Sequence, residues 1–172
     1  MATLRSRPLP PAVLPAQLRL AVGRFATGVT VVTSLDADGD PVGTTASAVS
    51  ALSLDPPLVL VCLSRASRTL EAVRARGTFA INVLAGGQRT LAESFARPGR
   101  AAAWDGVAHR DSATGSPRLE DVLAVLDCSV EHRLPGGDHE IVVGRVGDVE
   151  THPGDPAPLL HYRGTYASLV HA

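Results

Sequence analysis

The stretch Gly43 to Leu63, GTTASAVSALSLDPPLVLVCL, decides the fold class. Its first half mixes Thr, Val, Ser and Leu in the manner of a strand, and Pro56 with Pro57 stops it. Leu58 to Leu63 (LVLVCL) is then a continuous apolar run of strand length, which predicts a strand buried on both faces at the centre of a barrel.

Toward the N-terminus, Val29 to Leu35 is β-branched and apolar, and Asp36 to Asp40 (DADGD) is a turn cluster, so a hairpin leads into the stretch from Val42 to Leu54. Before it, Pro15 to Phe25 places Leu18, Val22 and Phe25 at helical spacing, with Pro15 acceptable in a first turn. Toward the C-terminus, Ser67 can cap a helix through Arg76, with Leu70 and Val73 on its inner face and Gly77 as its stop. Phe79 to Leu84 reads as a strand, Gln88 to Ala96 as a short helix and Arg97 to Gly106 as an exposed loop. Val122 to Leu134 and Glu140 to Glu150 flank PGGD (Pro135 to Asp138), a hairpin signal because Gly tolerates the positive φ of tight turns. Leu159 to Tyr162 and Tyr166 to Val170 are two last strands. Short strands joined by turns, with only two or three helices, predict a mainly β protein with a closed or partly closed barrel, not the alternating units of a doubly wound fold.

The chain of 172 residues, 45% of them hydrophobic, is enough for one core and too short for two ordinary domains. A proline-rich arm (residues 1–14) precedes one domain (residues 15–172). Its 16 basic and 17 acidic residues, a net charge of -1, are dispersed, and with one Trp, two Tyr and three Phe they argue against nucleic acid as a partner. Pro8, Pro10, Pro11 and Pro15 interrupt any signal-peptide core, and no run approaches the roughly 18 apolar residues of a membrane span, so no membrane association and a cytoplasmic location are expected. Cys62 and Cys128 sit in apolar runs and are expected as free thiols.

No GxGxxG follows a strand, no P-loop is present, and Gly86 with Gly87 is too little to cradle a phosphate. The histidines (His109, His132, His139, His152, His161 and His171) lack HExxH or CxxC company, so no metal is assigned. No GxSxG elbow marks a hydrolase. Two clusters remain. Thr44, Thr45, Ser47, Ser50 and Ser53 place hydroxyls along strands, where they either face solvent or meet a ligand with many polar edges. Ser64, Arg65, Ser67, Arg68 and Thr69 lie between a strand and a helix start, as a helix cap with surface arginines or as an anion site.

Read together, the ordered motifs resemble the flavin-reductase-like family of FMN-binding split barrels, especially the small reductase components of two-component monooxygenases. The motifs are RFATGVTVVTS at Arg24 to Ser34, the stretch Gly43 to Leu63, FAINVL at Phe79 to Leu84, FA at Phe95 and Ala96, GDHEIVVGRV at Gly137 to Val146, and PLLHYRGTYASL at Pro158 to Leu169. They span roughly residues 17 to 170.

The resemblance implies a homodimer of Greek-key split barrels that reduces FMN or FAD with NADH or NADPH and supplies reduced flavin to a partner monooxygenase. By similarity, Thr45, Ser47 and Ala48 would contact the polar edge of the isoalloxazine. Cys62, Leu63 and Ser64 would line the ribityl chain, and Ser67, Arg68 and Thr69 would hold the phosphate. His139 matches a histidine beside the nicotinamide site; on its own it reads more readily as a hairpin histidine satisfied by the adjacent Asp138 or by water. Some relatives carry larger residues, such as Met and Phe, at Thr44 and Val49. Two other functions suit the scaffold: a flavoprotein with tightly held flavin acting as electron carrier or oxidase, and a non-catalytic ligand-binding barrel.

Overall fold

The computed structural model describes residues 13–97 and 104–169. In chain order the elements are α1 (Pro15–Val22), β1 (Thr27–Gly28), β2 (Thr30–Leu35), β3 (Pro41–Ala46), β4 (Val49–Leu54), β5 (Pro57–Ser64), α2 (Arg68–Arg76), β6 (Thr78–Val83), α3 (Arg89–Phe95), β7 (His109–Asp111), β8 (Pro117–Leu119), β9 (Ala124–Gly136), β10 (His139–Thr151), β11 (Leu159–Tyr162) and β12 (Thr165–Ser168). Seven of the strands form one antiparallel sheet in the order β3-β2-β6-β9-β10-β5-β4, and β1-β11-β12 form a second. Among the described residues the fold is mainly β with three short helices.

The long sheet curls on itself. Val32 and Ala46 from one end and Val59, Val61 and Leu63 from the other meet Phe79, Ile81, Cys128 and Val142 in one buried cluster, which α2 closes with Leu70 and Val73. Among the described residues the hydrogen-bond ladder nonetheless stays open, with β3 and β4 as its two ends. A barrel-like interior is therefore made by side-chain packing, not by a closed ladder. The convex side carries a second cluster, in which Val29, Val31, Ala80 and Leu84 pack on Ala92 and Phe95 of α3.

This arrangement corrects the expectation for LVLVCL. β5 lies next to the end of the sheet, and its residues alternate: Val59, Val61 and Leu63 are buried while Leu58, Leu60 and Cys62 are half-buried. An apolar run cannot by itself distinguish two covered faces from one covered face and one awaiting a partner. β2 and β6 are buried on both faces, since Val31 and Ala80 enter the convex cluster while Val32, Phe79 and Ile81 enter the inner one.

Both cysteines are free thiols, as expected, but only Cys128 is fully buried. Helix α1 stops at Val22 and buries none of its residues; Phe25, 75% exposed, lies beyond its end. Gly77 ends α2 with φ of 71°, and the PGGD hairpin turns on Gly137, φ 70°, at the first position of a two-residue loop between Gly136 and His139. Two further elements differ from the sequence reading. The helix expected over Gln88 to Ala96 begins at Arg89 after a single 3-10 turn at Gly86–Gln88, and β7 with β8 forms a small hairpin that the sequence pattern did not signal. That hairpin is held by tertiary contacts. Asn82 donates to Val31 O and Thr33 Oγ1 and accepts from Leu119 N at 2.8 Å, so every polar atom of this buried amide is used. Arg118 reaches Asp127, Asp148 and Glu150 from the same hairpin. Most of the proline-rich arm, part of the Arg97 to Gly106 loop, and Val170 and His171 lie outside the described residues.

Candidate functional site

The β5–β10 ladder organises the site. Ser64 pairs with His139, Cys62 with Ile141 and Leu60 with Val143, and paired residues share a face. Cys62 N also donates to Ala48 O at 3.0 Å, which brings the β3–β4 connection alongside. Ala48, Cys62, Ser64 and His139 thus meet on the outer side of the sheet, with Ser47 exposed beside them. Leu60, Cys62 and Ile141 leave this side partly apolar and half-buried.

Beyond Ser64 the chain turns sharply into α2. Ser67 N donates to Ser64 O at 2.9 Å, and Ala66 N to Ser64 Oγ at 3.3 Å. Ser67 occupies the N-cap position, as expected, but makes no side-chain cap bond, so its hydroxyl leaves the first-turn amides of α2 without a side-chain acceptor. The turn is tied to the β9–β10 hairpin, because Arg65 N donates to Asp138 O at 3.0 Å and Arg65 Nε to His139 O at 3.3 Å. Asp36 clasps α2 from the other side: its carboxylate lies 3.3 Å from Arg68 Nη2, and its carbonyl accepts from Arg76.

His139 Nδ1 lies 2.8 Å from Asp138 Oδ1, and this bond holds the Asp138 carboxyl below its ordinary range. The contact orients the ring and leaves Nε2 as the nitrogen available to a ligand.

Four of the sequence-derived residues stand apart from this group. The Thr45 hydroxyl donates to Ala92 O at 2.7 Å, toward α3. Leu63 points into the inner cluster, and Thr69 is buried at 2% exposure, so both offer their backbone to anything bound outside. Arg68 is turned toward Asp36. The sequence reading missed Glu140 and Arg74, which pair at 2.6 Å across 66 positions; each looks like an ordinary surface residue of its own element, and no local signal links them. Among the described residues no cluster of His, Cys, Asp and Glu could hold a metal.

The site thus combines a curled β-sheet with a half-apolar outer ladder, a helix start without a side-chain cap and an oriented imidazole. The comparisons with known proteins are specific: the flavin reductase like domain matches residues 22–170, and the chain belongs to that family. A probable flavin reductase of Rhizobium meliloti (strain 1021) is 49% identical over 134 residues; the match covers 77% of this chain but only 42% of that protein's length. The reductase subunit HsaB of a flavin-dependent monooxygenase from Rhodococcus jostii (strain RHA1) is 41% identical, covering 92% of this chain and 80% of that one. The Streptomyces globisporus C-1027 NADH:FAD oxidoreductase SgcE6, solved with NAD and FAD fragments, superposes with a TM-score of 0.84 at 33% identity, covering 90% of this chain and 92% of that one. The chain is a flavin reductase by family, as its motifs implied.

Proposed function

We propose that the protein reduces FMN or FAD with NADH or NADPH, in the cytoplasm and as a homodimer of split barrels, and delivers the reduced flavin to a partner monooxygenase. The observation that carries this reading is the adjacency of the uncapped start of α2 to the Ser64–His139 face. A flavin needs an apolar surface for its ring, polar groups at the ring edge and an anion site for its phosphate. Leu60, Cys62 and Ile141 supply the first. Ser47, Ala48 and the backbone edge of β3 at Thr45, unpaired among the described residues, supply the second, and the Ser67 hydroxyl with the amides of Arg68 and Thr69 supplies the third. Cys62, Leu63 and Ser64 run between them, so the residues present fit the group.

A bound flavin would supply the hydride acceptor for the nicotinamide C4 carbon. The chain's own task is orientation. His139 Nε2 would fix the nicotinamide, and backbone N–H groups at the edge of β3 would stabilise negative charge on the ring. No protein nucleophile or base takes part. The homodimer is supported by large apolar side chains left exposed among the described residues: Leu18, Leu20, Val22 and Phe25 on and after α1, and Leu52 and Leu54 on β4, are each at least half exposed. No helix among the described residues is long and apolar enough to cross a membrane.

The test is oxidation of NADH and NADPH by purified protein with FMN, FAD, riboflavin or no flavin. Saturable, flavin-dependent turnover is expected. Absence of turnover under every pairing overturns the reading in favour of a binding barrel, and flavin that survives gel filtration would mark a tightly held prosthetic group instead of a substrate.

A further inference from the structure

Consecutive residues on a strand face opposite ways, and His139 and Glu140 use both sides. His139 shares the outer face with Ser64. Glu140, the partner of Leu63, points to the inner side, where α2 closes the core. There its Oε2 accepts from Arg74 Nη2 at 2.6 Å, its Oε1 from Arg74 Nε at 3.4 Å, and Arg133 Nη1 lies 3.5 Å from the same Oε1. The Glu140 side chain is only 13% exposed. Exposed ion pairs contribute little, but a shielded carboxylate gripped by two guanidinium groups restricts geometry as well as adding attraction. The three residues sit on three elements: Arg74 in the last turn of α2, Arg133 on β9 and Glu140 on β10.

We propose that Glu140 is a positioning residue: through Arg74 and Arg133 it holds α2 against the β9–β10 hairpin, so that the start of α2 and the imidazole of His139 address the same bound ligand pair. Arg65 makes the complementary tie at the other end of α2, through its bonds to Asp138 O and His139 O. Glu140 touches neither flavin nor nicotinamide; it acts by setting where α2 begins. The proposal rests on the reading that the start of α2 holds the flavin phosphate.

The experiment titrates the preferred phosphorylated flavin, FMN or FAD, and riboflavin into the full chain and into Glu140→Gln, Arg74→Gln and the double variant. In Glu140→Gln, affinity for the phosphorylated flavin is expected to fall about fivefold or more while that for riboflavin changes by less than about twofold. The effect of Glu140→Gln is expected to vanish in the Arg74→Gln background, because the two act as one unit. Arg74→Lys, which keeps the charge without the two-nitrogen contact, is expected to show the same selective loss in smaller measure, and it serves if Glu140→Gln fails to fold. Equal loss for both flavins, no loss, or full additivity of the two Gln changes overturns the proposal. A wild-type protein that binds riboflavin as tightly as the phosphorylated flavins overturns the phosphate reading itself, and the proposal with it.

Discussion

Ser64 and His139 are direct partners across the β5–β10 ladder, on the side of the sheet opposite the core. A strand residue that begins the turn into α2 and the histidine of a two-residue hairpin are thereby held side by side. His139→Ala removes the imidazole without touching a core contact, so KM for the nicotinamide is expected to rise about fivefold, the size of one lost hydrogen bond, with flavin affinity unchanged. Steady-state kinetics with varied NADH and NADPH, beside a flavin titration, check it. Unchanged kinetics would remove His139 from the site.

Arg68 lies at the first position of α2, and its guanidinium, 60% exposed, rests 3.3 Å from Asp36. A weak exposed pair is easily exchanged for a phosphate. Arg68→Ala is expected to weaken FMN or FAD about fivefold and to leave riboflavin unaffected. Fluorescence titration of the three flavins reads this directly, and equal affinity of variant and wild type would reject the assignment.

The two thiols differ in access. Burial, reinforced by the neighbouring Asp127 charge, pushes the Cys128 thiol up to about 12, so it stays protonated and inert in the native protein. Cys62 is only half-buried, on the outer face. A disulfide reagent at mildly alkaline pH is expected to modify one thiol per chain, at Cys62, and saturating flavin is expected to slow the reaction. Loss of flavin protection would place the ring elsewhere.

At Gly144 a Cβ would stand 2.5 Å from Phe79 Cζ and 3.0 Å from Cys128 Cβ. Phe79 is fully buried and has no free direction in which to retreat. Gly144→Ala is therefore expected to destabilise the protein by about 1–3 kcal/mol, as overpacking of a filled core does. Urea denaturation measures the loss, and an unchanged midpoint would show that the β9–β10 ladder can give at its register shift between Val143 and Gly144.

Among the described residues five carboxylates titrate below their ordinary range: Glu131 through its bond from Arg145, Asp138 through His139, Glu140 through Arg74, Asp148 through Arg118 and Glu150 through Arg110. A carboxylate whose pKa is lower in the folded protein stabilises it fully above the unfolded value, and that stability is lost as pH falls through the folded value. The reference values are 4.5 for Glu and 3.8 for Asp, so stability is expected to be level on this account above about pH 5 and to fall below it. Denaturant midpoints across the acid range check the limb, which Arg118→Met should make shallower.

Much of the fold was legible in the chain because strand and turn signals are local. DADGD, the paired prolines at Pro56 and Pro57, and PGGD each bound a strand without help from distant residues, and Gly77 ends α2 because only Gly takes its positive φ without cost. The order of the motifs was enough to name the family. What the chain alone could not say concerned faces and partners. LVLVCL reads the same whether its second side meets a core or the outside, and only the sheet order puts β5 next to an edge. The β7–β8 hairpin has weak propensity of its own and exists because Asn82 and Arg118 bind it to the sheet. For the site, the candidates clustered around Ser64 were visible as polar residues between a strand and a helix. The orientation of Thr45 toward Ala92 and the grip of Glu140 on Arg74 were not, because both join residues far apart in the chain, and pairing at that distance is decided by how the sheet curls.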